Sequence, residues 1–232
     1  LVAGLRYDDF KASYRNPNGS LSSDRSDSLF SPRAGLIFQP DALSSYYLSY
    51  GTSYNTSGDT YQFSPGLSNS TARSANTPAE KSRNIEIGGK FELFERRALL
   101  GVAAFYSEKY NERNTDPDTA AAQELLSGKR HATGMEFNLA GRLTPQWEVF
   151  FNHTWIPDAK IDRSNVALAA NGGGAQVQGD RPGLTPKHSG SVWSTYAVTS
   201  KLRLGAGLTY RSKQNPEGSR AVYASGFAVM DA

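Results

Sequence analysis

The chain has 232 residues, with 25 basic and 22 acidic side chains spread along its length and no cysteine. Dispersed charge excludes the dense cationic surface of a nucleic-acid-binding protein, and the lack of cysteine excludes disulfide frameworks and thiolate metal sites. Abundant Gly, Tyr and Phe favour strands and turns over helices. The longest nearly apolar run, residues 98–106, is far shorter than the roughly 20 residues of a transmembrane helix, so a helical membrane protein is excluded.

Alternation of apolar and polar residues predicts ten strands. In the clearest one, residues 45–54, Tyr46, Leu48 and Tyr50 alternate with small or polar neighbours. A strand with one apolar and one charged face needs lipid or a core on one side and water on the other. The predicted strands are 1–14, 33–38, 45–54, 84–93, 99–112, 135–140, 147–156, 189–198, 202–211 and one that starts at Tyr223.

Two of these strands leave a question open. Residues 99–106 are apolar on both faces, so their facing is undecided. Around Asp8 and Asp9 the apolar residues change from odd to even positions, which indicates either a β-bulge or a strand that leaves the membrane zone.

The connections between these strands alternate between short and long. Short ones lie at 39–44, 94–97, 143–146 and 199–201, and long ones at 15–29, 55–79, 113–129, 157–187 and 212–222. Every long connection therefore lies at one end of the strands, which is typical of outer-membrane barrels with short periplasmic turns and long external loops. The sequence predicts an all-β fold, a transmembrane antiparallel β-barrel.

The ends of the chain suggest a sector of a larger barrel. The sequence starts inside a strand without an initiator Met and stops within another strand. Unpaired strand edges are not tolerated in lipid. We therefore expect a ten-strand sector, with residues 1–232 all belonging to the barrel and with further strands outside them.

Several motifs, in this order and spacing, resemble the C-terminal half of the TonB-dependent siderophore receptors over essentially the whole chain. They are residues 31–36 with Gln39 and Pro40, residues 46–53, 80–88, 134–136, 140–145 with Trp147, and 186–189 with Trp193 and Tyr196.

This resemblance implies a bacterial outer-membrane barrel of about 22 strands around a plug domain. The implied function is TonB-dependent, energised import of a ferric siderophore. The implied partners are that cargo, outer-membrane lipid, the protein's own N-terminal plug and the TonB complex through the plug. The plug and the last strands lie outside this sequence, and the segment is expected to bind no cofactor of its own.

Cationic and aromatic loop residues are the candidates for cargo binding, because ferric siderophores are densely oxygenated and Arg presents forked donors to such oxygens. The alternative is that they are ordinary solvated loop residues. The candidates are Tyr61, Phe63, Arg73, Arg113, Lys129, Arg130, His131, Arg181 and Lys187.

Other residues are predicted to serve the barrel wall. Trp193 is expected to point into the lumen and pack on the plug. Aromatic residues near strand ends suit the lipid headgroup zone better than a ligand: Tyr54, Tyr106, Tyr110, Trp147, Trp155 and Tyr210. A polar set is predicted to line the lumen, either against the plug or against water: Glu86, Lys90, Glu92, Glu136, Asn138, Arg203 and Arg211.

An enzyme is not predicted, because no set of acid, base and nucleophile converges in the sequence. His131, His153 and His188 fall in separate elements without metal-ligand spacing. A passive porin or adhesin barrel is the main alternative, distinguished by an open channel without a plug. A soluble all-β carbohydrate-binding module would instead be soluble without detergent.

Overall fold

The computed structural model describes residues 1–15, 22–55, 79–115, 124–170, 172, 174–216 and 219–232. Within these residues, ten strands form one antiparallel sheet in chain order, which confirms the predicted all-β meander. The strands are β1 (Val2–Arg15), β2 (Ser22–Phe38), β3 (Ser44–Asn55), β4 (Glu80–Leu93), β5 (Ala98–Thr115), β6 (Glu124–Arg142), β7 (Trp147–Arg163), β8 (His188–Ala197), β9 (Arg203–Arg211) and β10 (Phe227–Asp231). The described residues include no helix that is long and apolar enough to cross a membrane.

Several strands are longer than the sequence predicted. β2 begins at Ser22, β6 begins at Glu124 and β7 ends at Arg163, so the predicted long connections 15–29, 113–129 and 157–187 were too long. Backbone pairing continues beyond the lipid, where both faces meet water and the apolar alternation stops. The predicted start of the last strand at Tyr223 was also wrong, since regular pairing with β9 begins at Phe227.

The short turns that join β4 to β5 and β6 to β7 lie where they were predicted, at 94–97 and 143–146. Phe94, Glu95 and Arg96 all have positive φ angles, between 53° and 66°, which lets the chain reverse within four residues. Gly141, beside this turn, has φ of 133°, and a Cβ there would overlap the carbonyl oxygen of Arg97. Because neighbouring strands run in opposite directions, all the short turns lie at one end of the sheet.

One face of the sheet is apolar and exposed. Leu48 of β3 lies opposite Ile87 of β4, and their side chains are 48% and 61% exposed. In a membrane barrel such a face contacts lipid, so the opposite face lines the lumen. The predicted polar set of seven residues, from Glu86 to Arg211, lies entirely on this luminal face by strand register.

The register also settles both open questions. In β5, Leu100 and Ala104 share the lipid face with Ile87, whereas Leu99 and Ala103 face the lumen. In β1, pairing with β2 is continuous from Val2 to Arg15, so no bulge interrupts it. The polar outer part of β1 therefore leaves the membrane zone.

Candidate functional site in the upper lumen

A pocket of about 370 Å³ lies on the luminal side of β3 to β6, at the end of the sheet away from the short turns. Small side chains leave this space open, and the connection after β7 covers it from the lumen. We call it the luminal pocket; its walls include Gly51, Ser82, Asn84, Ser107, Lys109, Arg130, Ala132, Pro182 and Thr185.

A row of alternating charges crosses the strands at this pocket. Lys109 lies 3.1 Å from Glu80 and 3.3 Å from Glu112. Arg130 donates to both carboxylate oxygens of Glu112, at 2.5 and 2.7 Å. The two cations remain about one-third exposed, so each retains donors for a ligand while the carboxylates fix its position.

A backbone irregularity assembles this row. Asn111 has φ of 50°, and the pairing of β5 with β6 shifts between Tyr110 and Glu112. In a regular strand, residues three apart point to opposite faces, so Lys109 and Glu112 could not meet. The bulge places both on the luminal face.

The connection from β7 to β8 folds back against the luminal side of the sheet. The amide of Ile161 donates to the carbonyl of Asp180 at 2.8 Å. Arg181 fixes this connection by donating to the carbonyls of Ile156 at 2.7 Å and Thr185 at 2.8 Å. Burial lowers the pKa of Arg181, an effect that the charge of Asp158 partly opposes.

The predicted cargo residues do not form one group. Tyr61, Phe63 and Arg73 lie outside the described residues, and Arg113 is a residue of β5. Arg130 and its neighbour His131 both border the luminal pocket, but the side chains of Lys129 and His131 lie on the outer face by register, because successive strand residues alternate.

A second pocket of about 320 Å³ brings Arg181 and Lys187 together. It lies between the connection after β7 and the one after β9, beside Lys213 and Tyr223. Arg181 is largely engaged with backbone carbonyls, whereas Lys187 is exposed. Lys187 is therefore the freer of the two for ligand contact.

Lys109, Glu80 and Glu112 were not predicted from the sequence as parts of the site. All three belong to strands rather than loops, and cargo candidates were sought in the long connections. A usable signal was the polar run of residues 107–112, which follows the apolar part of β5 and must stand above the lipid.

The six predicted girdle residues all lie on the outer face by strand register, as a girdle requires. His153 and His188, assigned to separate elements, are neighbours there, with Nδ1 of His188 3.5 Å from Nε2 of His153. The hydroxyl of Tyr210 also contacts Nδ1 of His153. Stacked rings of this kind suit the headgroup zone, where one side of the ring meets water.

Trp193 lies on the luminal face, as its strand position predicted. Its indole packs across Gly205 and Gly207 of β9, where any Cβ would collide with the ring. The indole is 40% exposed, so part of it remains open to the lumen. Its contact with the plug stays a prediction.

An antiparallel meander with a lipid-compatible outer face, a polar inner face and its short turns at one end defines an outer-membrane β-barrel sector. The chain belongs to the family described as TonB dependent receptor-like, beta-barrel, whose model matches residues 1–232. Members of this family are transport receptors of the bacterial outer membrane, and this is the location of the chain.

Related proteins include siderophore receptors. The chain is 36% identical over 220 residues to the probable TonB-dependent receptor BfrD of Bordetella pertussis, covering 92% of this chain and 28% of that protein. It is 26% identical over 222 residues to the catecholate siderophore receptor Fiu of Escherichia coli K12, covering 94% and 28%. The chain thus spans less than a third of these relatives.

The fold is similar to that of solved receptors. The crystal structure of the siderophore receptor PiuA from Acinetobacter baumannii superposes with a TM-score of 0.81 at 23% identity, covering 98% of this chain and 33% of that one. This likeness supports the barrel architecture.

Proposed function

We propose that this sector belongs to a receptor that imports a ferric siderophore by TonB-dependent, energised transport. The family match over the whole chain carries the proposal, because siderophore receptors recur among the relatives. The luminal pocket supports it from the chemistry, since Lys109 and Arg130 offer cationic donors where cargo would enter the lumen.

In this proposal the row of alternating charges at the luminal pocket is a preformed contact for an oxygen-rich ligand. Glu80 and Glu112 hold the two cations before cargo arrives, so less side-chain freedom is lost on binding. Tyr61, Phe63 and Arg73 stay predicted contributors from a long connection, and Arg113 stays one from the outer end of β5. Iron enters as cargo, and no cofactor or catalytic step is assigned to this segment.

The luminal wall below the pocket is proposed to hold the plug domain, through which the TonB complex would act. Tyr47 donates to Glu86 at 2.5 Å, and Glu136 lies on the same face two strands away. Such carboxylates offer acceptors to plug donors, and Trp193 offers an apolar surface.

Uptake by the full-length receptor tests the proposal. Cells that lack the native gene, complemented with the full-length protein, should accumulate ⁵⁵Fe from a ferric siderophore only when TonB is present and the inner membrane is energised. Equal uptake without TonB, together with an open channel in a planar lipid bilayer, would instead establish a passive porin.

A pair of variants tests the luminal pocket itself. Arg130→Gln removes a luminal cation and should weaken siderophore binding by about tenfold, the effect of losing one charged hydrogen bond. Lys160→Gln is the control, since Lys160 lies opposite His131 on the outer face. Equal binding by wild type and Arg130→Gln would remove the pocket from the proposal and leave cargo contact to other residues.

A further inference from the structure

A cleft on the outer face carries charged side chains that point outward by strand register. We propose that it binds the phosphate headgroup of a lipid in the outer leaflet. The cleft encloses about 340 Å³, and we call it the outward cleft; it is lined by Arg83, Glu108, Tyr110, Asn111, Gly128, Lys129 and Arg163.

A buried carboxylate organises the outward cleft. The side chain of Glu108 is only 4% exposed and lies 3.1 Å from Nη2 of Arg83 and 2.9 Å from Nζ of Lys129. The hydroxyl of Tyr106 donates to it at 2.7 Å. Arg83 and Lys129 come from strands on either side of β5, so Glu108 holds two cations at fixed positions.

These cations keep donors free for a second anion. The Arg83 and Lys129 side chains are 43% and 33% exposed, in contrast to the buried Glu108. The Arg83 guanidinium also lies 6.0 Å from the ring centre of Tyr110, which restricts its orientation. A guanidinium held in this way presents its remaining N–H groups as a fork suited to phosphate.

Arg163 adds a third cation to the cleft. It lies opposite Lys129 in the β6 and β7 pairing, and among the described residues it makes no ion pair. Three cations and one carboxylate give the cleft a net charge of +2. A phosphate monoester carries about −1.5 to −2 at neutral pH, so the charges match.

The two acidic residues beside the cleft do not line it. Asp158 and Asp162 lie on the same outer face, but both contact His131, at 3.1 and 2.8 Å. Each ring nitrogen of His131 therefore faces a carboxylate.

The height of the outward cleft selects the ligand. Arg83 is ten residues along β4 from Leu93 at the short turn, and Glu108 is ten along β5 from Ala98. A transmembrane strand needs about 9–11 residues, so both side chains stand where the hydrocarbon ends. Ile85 and Tyr106, one row nearer the turn, begin the lipid-facing band. An outward anion at this height is a lipid headgroup.

The inference rests on the barrel's place in the outer membrane and does not require the proposed cargo. Binding should be measured on the full-length receptor in detergent by native mass spectrometry, with added diphosphorylated lipid A, its dephosphorylated form or inorganic phosphate. We expect one tightly retained diphosphorylated lipid and loss of this retention for the dephosphorylated form.

Two variants and a control locate the binding. Arg83→Gln with Lys129→Gln should weaken lipid binding at least tenfold, by loss of charged hydrogen bonds. Because that pair also leaves Glu108 uncompensated, Arg163→Gln serves as a second variant that breaks no described ion pair. Lys11→Gln is the matched control, since Lys11 is an exposed outer-face cation on β1.

The outcomes separate clearly. Loss of lipid in both cleft variants but not in Lys11→Gln supports the proposal. Unchanged retention in Arg163→Gln and the double variant, or equal loss in Lys11→Gln, would overturn it. Equal retention of the dephosphorylated lipid would also overturn it, and so would retention of inorganic phosphate without retention of the diphosphorylated lipid.

Discussion

Arg181 offers a sharp test of how the luminal pocket is covered. Its guanidinium joins the connection after β7 to that strand, donating to the carbonyl of Ile156 in β7 at 2.7 Å and to that of Thr185 in the connection at 2.8 Å. Arg181→Met removes both bonds but keeps a similar apolar stem. A hydrogen bond from a charged donor contributes about 1.5–3 kcal/mol. Because the group is only half-buried, we expect a total loss of about 2–3 kcal/mol for this connection.

That loss should appear as local opening rather than global unfolding. A change of about 2–3 kcal/mol corresponds to roughly 30- to 150-fold more frequent opening, since 1.4 kcal/mol is a factor of ten. Hydrogen–deuterium exchange should report it at the amides of Val177 and Gly183, which bond within the connection at 3.0 and 3.1 Å. Lys187→Gln, an exposed change in the same connection, should leave exchange unaltered.

The refuting result is also specific. If exchange at Val177 and Gly183 is the same in Arg181→Met and wild type, other contacts of the connection suffice and Arg181 does not hold it closed. If exchange rises equally in β3 and β4, the substitution has destabilised the barrel as a whole. Either result would refute the local role derived from the hydrogen bonds.

Three further predictions concern the wall and the turns. Glu108→Ala should lower the free energy of unfolding by about 2 kcal/mol, because Arg83 and Lys129, both partly exposed, lose the carboxylate that they share. Denaturant titration of the full-length protein in lipid vesicles measures this, and an unchanged denaturation midpoint would contradict it. Gly141→Ala should cost at least about 2 kcal/mol in the same assay, since its φ of 133° and the carbonyl of Arg97 exclude a Cβ; wild-type stability would show that the turn can rearrange. Hydrogen bonds from Leu43 and Ser44 lower the pKa of Asp41 in the folded protein. The ionised carboxylate therefore stabilises the fold at neutral pH, above the pKa of Asp41 in the unfolded chain. This stabilisation is lost as the pH falls through the lowered pKa of the folded state. The stability of Asp41→Asn should therefore fall below that of wild type at pH 7 and converge with it under acid, and a constant difference down to pH 2 would exclude this titration.

The membrane-spanning part of the fold was predictable because lipid imposes a simple pattern. Leu48 and Ile87 must be apolar when their neighbours Ser49 and Glu86 face water, and this alternation is visible along one strand. Beyond the lipid both faces are wet, so the pattern disappears although the pairing continues. The outer ends of β2, β6 and β7 were therefore missed.

The site was less predictable because its contacts join residues of different strands, which are far apart in the sequence. Arg130 was identified from its charge, but its partner Glu112 is 18 residues away, and their contact depends on the bulge at Asn111. A period of two along the sequence places Lys109 and Glu112 on opposite faces. The pairing of His153 with His188, 35 residues apart, likewise depends on the register of β7 and β8.

The strict division of β6 between two environments has a consequence for how such a chain can change. Lys129, Arg130 and His131 are consecutive, yet the first and third face outward and the second faces the lumen. Deleting or inserting one codon within the strand would exchange the two faces from that point on and place charges in hydrocarbon. Length variation should therefore be found in the external connections. There, new recognition surfaces can be added without changing which strand residues face the lipid and which face the lumen.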